Sequence, residues 1–341
     1  MRVAIVNDMP MAIEGLRRAV LADNKHQIAW TAWDGEEAVE RCAKDVPDLI
    51  LMDLIMPKMN GIEATEKIMQ STPCPILIVT ASVDQNSSMV FEAMGKGALD
   101  AVNTPLFVET DKADDKETLL QKIAMIGILT QPARKSCHVV GSIHPNLVLS
   151  NEHLVAIGSS SGGPKALAQL LGGLPVDFPA AVVIVQHVDE QFSQALAEWL
   201  DNQSPLPVRI AKHGDKPSKG EILLAGTNNH LVLSENGELH YQEEPRESHY
   251  RPSVDVFWNS LHKNWPGNLT AILLTGMGKD GARAMLELRK KGAYTIAQDE
   301  KSSTVFGMPK AAIELGAAIN VYPIEDIAGV LCVKQKKQLH N

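Results

Sequence analysis

Two long stretches of this chain alternate short β-branched apolar runs with amphipathic segments, and that alternation leaves few folds open to it. In the first, RVAIV, QIAWTA, DLILM, ILIVT and LDAV read as strands, with helices starting near Pro10, Gly35, Gly61, Gln85 and Lys116. Successive β–α units of this kind predict an open parallel sheet with helices on both faces. A second block begins near Glu152, where LVAIG, AVVIVQH, LTAILLT and AYTIAQD are apolar enough to be buried parallel strands. Between the blocks, QPARKSCHVVGSIHPNLVLS loses all periodicity and gathers Pro, Gly, Ser and His, as a linker does. The expected layout is an α/β domain over 1–130, a linker over 131–150, a doubly wound, mostly parallel α/β domain over 151–336, and a tail over 337–341.

Composition narrows the function classes. The 341 residues are 45% hydrophobic and 21% charged, enough apolar material for two cores. The net charge is −9, and the basic clusters are short: Arg289-Lys290-Lys291, then Lys334, Lys336 and Lys337. A duplex-binding domain needs a broader basic face to neutralise phosphates, so a nucleic-acid partner is not expected. Cys42, Cys74, Cys137 and Cys332 show no CxxC spacing, which gives neither a zinc site nor a disulfide framework. No apolar run is long enough to cross a bilayer, and the chain opens on RVAIV without a basic leader. A cytoplasmic protein with no direct membrane insertion is the expectation.

In open α/β sheets, chemistry sits beyond the carboxyl ends of the strands. Asp8 follows the first strand and Asp53 the third, so two carboxylates are expected to converge in a shallow pocket. Such a pair suits Mg²⁺, which keeps several waters and bridges to phosphate. A carboxylate can itself be the nucleophile that forms an acyl phosphate. Thr80 ends ILIVT, where it can offer a hydroxyl to a new phosphoryl group. The plainer reading is that both aspartates cap the helices that follow.

Asp8, MDLIMPKMNG and IVTAS in this order resemble a response-regulator receiver domain, which is flavodoxin-like with a five-stranded parallel sheet. The resemblance implies Asp53 as phosphoacceptor, Asp8 and Asp53 as magnesium ligands, and Thr80 as the hydroxyl switch. Met56, Pro57 and Gly61 match the turn after the acceptor. Two departures stand out. Asn7-Asp8 replaces the usual pair of acids, and Thr104-Pro105 replaces the usual Lys-Pro, which removes a cation that would pair with phosphate.

In the second block, LVAIG runs into Ser159-Ser160-Ser161-Gly162-Gly163-Pro164. A serine among glycines at a strand-to-helix turn can expose its hydroxyl and bring backbone N–H groups toward a developing oxyanion. The same turn can also bind phosphate or cap a helix. His187 closes AVVIVQH, and Asp280 lies in LTGMGKDGA, so Ser160, His187 and Asp280 are expected on one rim of one sheet. Together they form the set for an activated hydroxyl. A competing pattern overlaps it: Gly276-Met277-Gly278-Lys279-Asp280-Gly281 is a GxGxxG, with Asp299 at the end of the next strand. Asp280 would there repel a pyrophosphate, and the fingerprint normally occupies the first βα turn.

AIGSSSGGP, VIVQH, RPSVD, LLTGMGKDGA, TIAQD and FGMPKAA make residues 152–333 similar to the catalytic domain of chemotaxis protein-glutamate methylesterases, the CheB type. AVNTP with NDMP further resembles the methylesterase of Wsp-type surface-sensing systems. The family resemblance implies Ser160 as nucleophile, His187 as general base and acid, Asp280 as its orienting partner, and the backbone N–H groups of Ser161 and Met277 as oxyanion donors. It implies hydrolysis of glutamyl γ-methyl esters, and deamidation of glutamines, on a methyl-accepting chemoreceptor. A chemotaxis-type histidine kinase would be the phosphodonor. Mg²⁺ serves the receiver, no cofactor is expected for the esterase, and a monomer is expected. The receiver is expected to restrain the esterase until it is phosphorylated. A scaffold with a vestigial hydrolase is the rival from another class.

Overall fold

The computed structural model describes residues 1–22, 25–83, 85–105, 113–129, 153–248 and 250–332. The expected linker, the tail and the last residues assigned to the second domain lie outside the described residues. The chain divides into two compact units, with the division at residues 135–136. No helix among the described residues is long and apolar enough to cross a membrane.

The N-terminal unit alternates β1 (Arg2–Val6), α1 (Pro10–Leu21), β2 (Gln27–Ala32), α2 (Gly35–Lys44), β3 (Leu49–Met52), α3 (Gly61–Ser71), β4 (Ile76–Thr80), α4 (Ser87–Lys96), β5 (Asp100–Asn103) and α5 (Ala113–Leu129). The sheet order is β2-β1-β3-β4-β5, and every pair is parallel. β3 and β4 are buried at every residue, because helices cover both faces. Local chemistry sets the helix starts. Pro10 opens α1, Asp34 accepts the Glu37 N–H to cap α2, and Asn60 accepts the Glu63 N–H to cap α3. Val6 pairs with Met52, so the chain just beyond β1 lies beside the chain just beyond β3.

The C-terminal unit contains β6 (Leu154–Ser159), α6 (Gly163–Gly172), β7 (Ala181–Gln186), α7 (Glu190–Asp201), β8 (Val208–Ile210), β9 (Ile222–Leu224), β10 (His230–Leu233), β11 (Leu239–Gln242), α8 (Val254–Asn264), β12 (Leu269–Leu273), α9 (Ala282–Lys290), β13 (Tyr294–Gln298), α10 (Met308–Glu314), β14 (Asn320–Tyr322) and α11 (Ile324–Leu331). Its seven-stranded sheet runs β14-β13-β12-β6-β7-β9-β8 with all pairs parallel, beside a separate antiparallel β10–β11 hairpin. One core holds Phe257, Trp258 and Leu261 of α8 against Leu154, Val183, Leu223 and Leu273 of the sheet. From β6 the chain moves to β7 on one side, and only later fills the other side with β12. The boundary between β6 and β12 is therefore the switch point, where open α/β sheets form their crevice.

Candidate active site and phosphoacceptor pocket

In the first unit, Asp53 follows β3 and is hydrogen-bonded by its neighbours. Leu54 N–H donates to Asp53 Oδ1 at 2.7 Å, and Asn7 Nδ2 donates to Asp53 Oδ2 at 2.9 Å. Burial pushes the Asp53 carboxyl up to about 6, with the Asp8 charge adding to the rise against the Leu54 hydrogen bond. Asp8 is exposed, while Asn7 is buried and accepts Met9 N–H at Oδ1, 2.8 Å. The helix-capping reading of the two aspartates does not fit. The N-cap of α1 is Met9 with no side-chain cap, and α3 is capped by Asn60.

Thr80, the last residue of β4, is buried and accepts Asn86 Nδ2 at 3.0 Å, leaving its own hydrogen to donate elsewhere. Thr104 stands buried where receivers carry lysine, its N–H on Thr80 O at 2.8 Å. Lys58, which follows Pro57 in the turn after Asp53, pairs with Asp34 at 2.7 Å. Among the described residues, Asp53 has no ion pair. The donor set of Asp8 and Asp53 fits Mg²⁺, which binds through one or two carboxylates and fills the rest of its shell with water and phosphate oxygens.

In the second unit, Ser159 pairs with Gln186 on the last rung between β6 and β7. Ser160 and His187 are therefore neighbours one residue beyond that rung. Three adjacent serines are sorted by their hydrogen bonds. Ser159 is fully buried and donates its hydroxyl to Gln186 Oε1 at 2.7 Å. Gln186 Nε2 in turn donates to Ser160 O at 2.9 Å and His187 O at 3.0 Å, tying the two strand ends together. The Ser160 hydroxyl makes no hydrogen bond among the described residues, and α6 begins at a left-handed Gly162 without a side-chain cap. The helix-cap reading of Ser160 therefore has nothing to support it.

His187 Nε2 lies 2.8 Å from Asp280 Oδ2. Asp280 also accepts Ser253 Oγ at 2.8 Å, Val254 N–H at 2.7 Å and Asp255 N–H at 3.0 Å, which are the first amides of α8. Burial opposes ionisation of Asp280. The bond to His187, the histidine's charge and the α8 amides outweigh that opposition and hold its carboxyl below the usual range. An ionised carboxylate only accepts, so Nε2 carries a ring hydrogen, and in the neutral imidazole that leaves the lone pair on Nδ1. That Nδ1 is buried with no partner among the described residues. A buried polar atom without a partner asks for an explanation, and a proton acceptor awaiting a hydroxyl supplies one.

The loop after β12 closes the crevice. Ser160 N–H donates to Thr275 O at 3.0 Å, and Thr275 Oγ1 donates to Ser161 O at 2.9 Å. A Cβ at Gly276 would stand 2.7 Å from Ser160 Cβ, so only glycine allows this approach. The N–H groups of Ser161 and Met277, on either side of that contact, donate no hydrogen bond among the described residues. The dinucleotide reading loses its footing here. Asp280 is spent on His187 and α8, and Asp299 on Ser302 N–H at 2.9 Å and Ser302 Oγ at 2.6 Å.

Sequence reasoning passed over Gln186, Ser253 and Asp255 as site residues, although VIVQH and RPSVD contain them. Asp255 accepts Ala284 N–H at 2.8 Å, so Asp280 takes amides from the start of α8 while Asp255 of α8 takes one from the start of α9. Burial pushes the Asp255 carboxyl up to about 6, the Ala284 hydrogen bond opposing and the Asp280 charge adding.

Residues 155–331 match the family CheB methylesterase, and residues 3–112 match the response regulator receiver domain. The protein-glutamate methylesterase/protein-glutamine glutaminase of group 3 operon from Pseudomonas putida is 52% identical over 97% of this chain and 98% of its own length. Protein-glutamate methylesterase/protein-glutamine glutaminase 2 from Burkholderia pseudomallei is 51% identical over 97% of this chain and 96% of its own. The crystal structure of the Thermotoga maritima CheB methylesterase catalytic domain superposes with a TM-score of 0.51 at 36% identity, covering 54% of this chain and 98% of that domain. The chain belongs to the CheB methylesterase family, with a response regulator receiver domain ahead of the catalytic domain.

Proposed function

We propose that this chain is a phosphorylation-regulated protein-glutamate methylesterase that also deamidates glutamines, acting on a methyl-accepting chemoreceptor in a chemosensory pathway. The observation that carries the reading is the imidazole of His187, bonded to Asp280 through Nε2 and buried at Nδ1 without a partner among the described residues, one residue past the Ser159–Gln186 pair. Ser160 Oγ attacks the glutamyl ester carbonyl while His187 Nδ1 takes its proton, and Asp280 stabilises the imidazolium. The N–H groups of Ser161 and Met277 receive the oxyanion, each worth roughly 10²–10³ in rate. His187 returns the proton to the departing methanol. Water then attacks the acyl-enzyme by the same route and releases free glutamate. With glutamine as substrate, ammonia is the leaving group.

Asp53 is the proposed phosphoacceptor, supplied by a chemotaxis-type histidine kinase. Asp8 and Asp53 would hold Mg²⁺, whose charge offsets the carboxylates and the incoming phosphoryl oxygens. Thr80 has a hydroxyl hydrogen to donate to the phosphoryl group. Methanol release from a methylated receptor tests the esterase: Ser160→Ala is expected to lower it by at least about 10³, the scale on which triad serines act. Ser161→Ala is expected to be far milder. Equal rates in wild type and Ser160→Ala would refute the assignment.

A further inference from the structure

One hydrogen bond at Nε2 does not fix an imidazole, because the ring can still swing about its Cβ–Cγ bond. In this site a second contact removes that freedom. The Tyr250 ring lies parallel to His187, with centroids 4.3 Å apart and planes inclined by 5°. Tyr250 is half-buried at the end of the segment joining β11 to α8, so it lies over the ring rather than within the core.

The segment that carries Tyr250 is itself tied to the site. Ser248 Oγ donates to Tyr250 O at 2.9 Å, and Ser253 N–H donates to His230 Nδ1 at 3.2 Å. Ser253 Oγ then reaches Asp280, so one short segment touches both His187 and its carboxylate partner. The far end of Tyr250 meets the loop that bears Met277. A Cβ at Gly278, where φ is +81°, would stand 2.8 Å from the Tyr250 hydroxyl oxygen.

We propose that Tyr250 is a positioning residue of the esterase, whose ring holds the His187 imidazole in the plane that keeps Nε2 on Asp280 and Nδ1 toward Ser160. The inference rests on the reading of Ser160, His187 and Asp280 as the acyl-transfer set. A parallel ring supplies orientation through its face. It also supplies attraction for the imidazolium that forms during attack, because an aromatic face is electron-rich. The hydroxyl is not needed for either effect, so phenylalanine is expected to substitute and an aliphatic side chain is not.

The test uses the full chain as wild type, Tyr250→Phe, Tyr250→Leu and Ser160→Ala. Methanol release from a methylated receptor gives kcat and KM. A small fluorophosphonate, which makes no receptor contacts, gives the rate of serine labelling. Tyr250→Phe is expected to keep kcat within about twofold, and Tyr250→Leu to lose roughly tenfold in both kcat and labelling rate, the size such a stack supplies, with KM nearly unchanged. Thermal unfolding at the wild-type midpoint shows that the loss is not a folding defect. Wild-type kcat in Tyr250→Leu, a loss confined to KM, or an equal loss in Tyr250→Phe would overturn the proposal. If Ser160→Ala turns over and labels like wild type, the acyl-transfer reading itself fails, which is a separate result.

Discussion

Asn7 stands where receivers usually place a second acid, and its amide works on the acceptor itself, donating to Asp53 Oδ2 and accepting Met9 N–H. The proposed cation site thus rests on two carboxylates, Asp8 and Asp53. Cation affinity follows ligand charge, so Asn7→Asp is expected to tighten Mg²⁺ binding by roughly tenfold in calorimetry. Unchanged affinity would show that the residue at position 7 does not face the bound cation. Asp53 also carries a pH signature. Its folded carboxyl titrates at about 6 against an ordinary 3.8, so folding takes up a proton between those values. The group contributes no penalty below about pH 4. Stability is lost as pH rises toward 6, and the full cost stands at pH 7. Partial exposure limits that cost to about 1–2 kcal/mol. In magnesium-free buffer, Asp53→Asn is therefore expected to stabilise the receiver at pH 7 and less so at pH 5, as read by denaturant unfolding. An equal gain at both pH values would contradict the burial argument.

At the scale of elements, the ends of β6 and β7 decide the site. Gln186 reaches across them with three hydrogen bonds, to Ser159, Ser160 and His187. Gln186→Leu leaves the buried Ser159 hydroxyl without its acceptor and the His187 carbonyl without a donor, while Ser160 O keeps the Gly163 N–H at 2.7 Å. It is expected to cost about 1–3 kcal/mol of stability, measured by denaturant unfolding. A change below the measurement error would show that these two groups find other partners. The long strands and their order of motifs were legible in the sequence because each is a continuous apolar run ending in a polar residue at the rim. Asp8, Asp53, Thr80, Ser160 and His187 all stood out in that way. The three-residue strands β8, β9 and β14 were not legible, since three residues show no periodicity. The β10–β11 hairpin had a signal that passed unread: Asn236-Gly237, with Gly237 at φ +78°. The bonds from α8 to Asp280 join residues about 25 apart through tertiary packing, which no local pattern encodes.

At the scale of the molecule, the chain joins a receiver and an esterase. The proposed function puts the chemistry on Ser160 and the control of its rate on Asp53. Mass action states what the phosphoryl group must do: it can raise activity only by favouring a more active population. Methanol release from a methylated receptor, with and without a small phosphodonor and Mg²⁺, tests both halves in the full chain. Acceleration by phosphodonor is expected in wild type, the basal rate alone in Asp53→Asn, and no release above background in Ser160→Ala under either condition. Wild-type turnover by Ser160→Ala, or equal acceleration of Asp53→Asn, would contradict it.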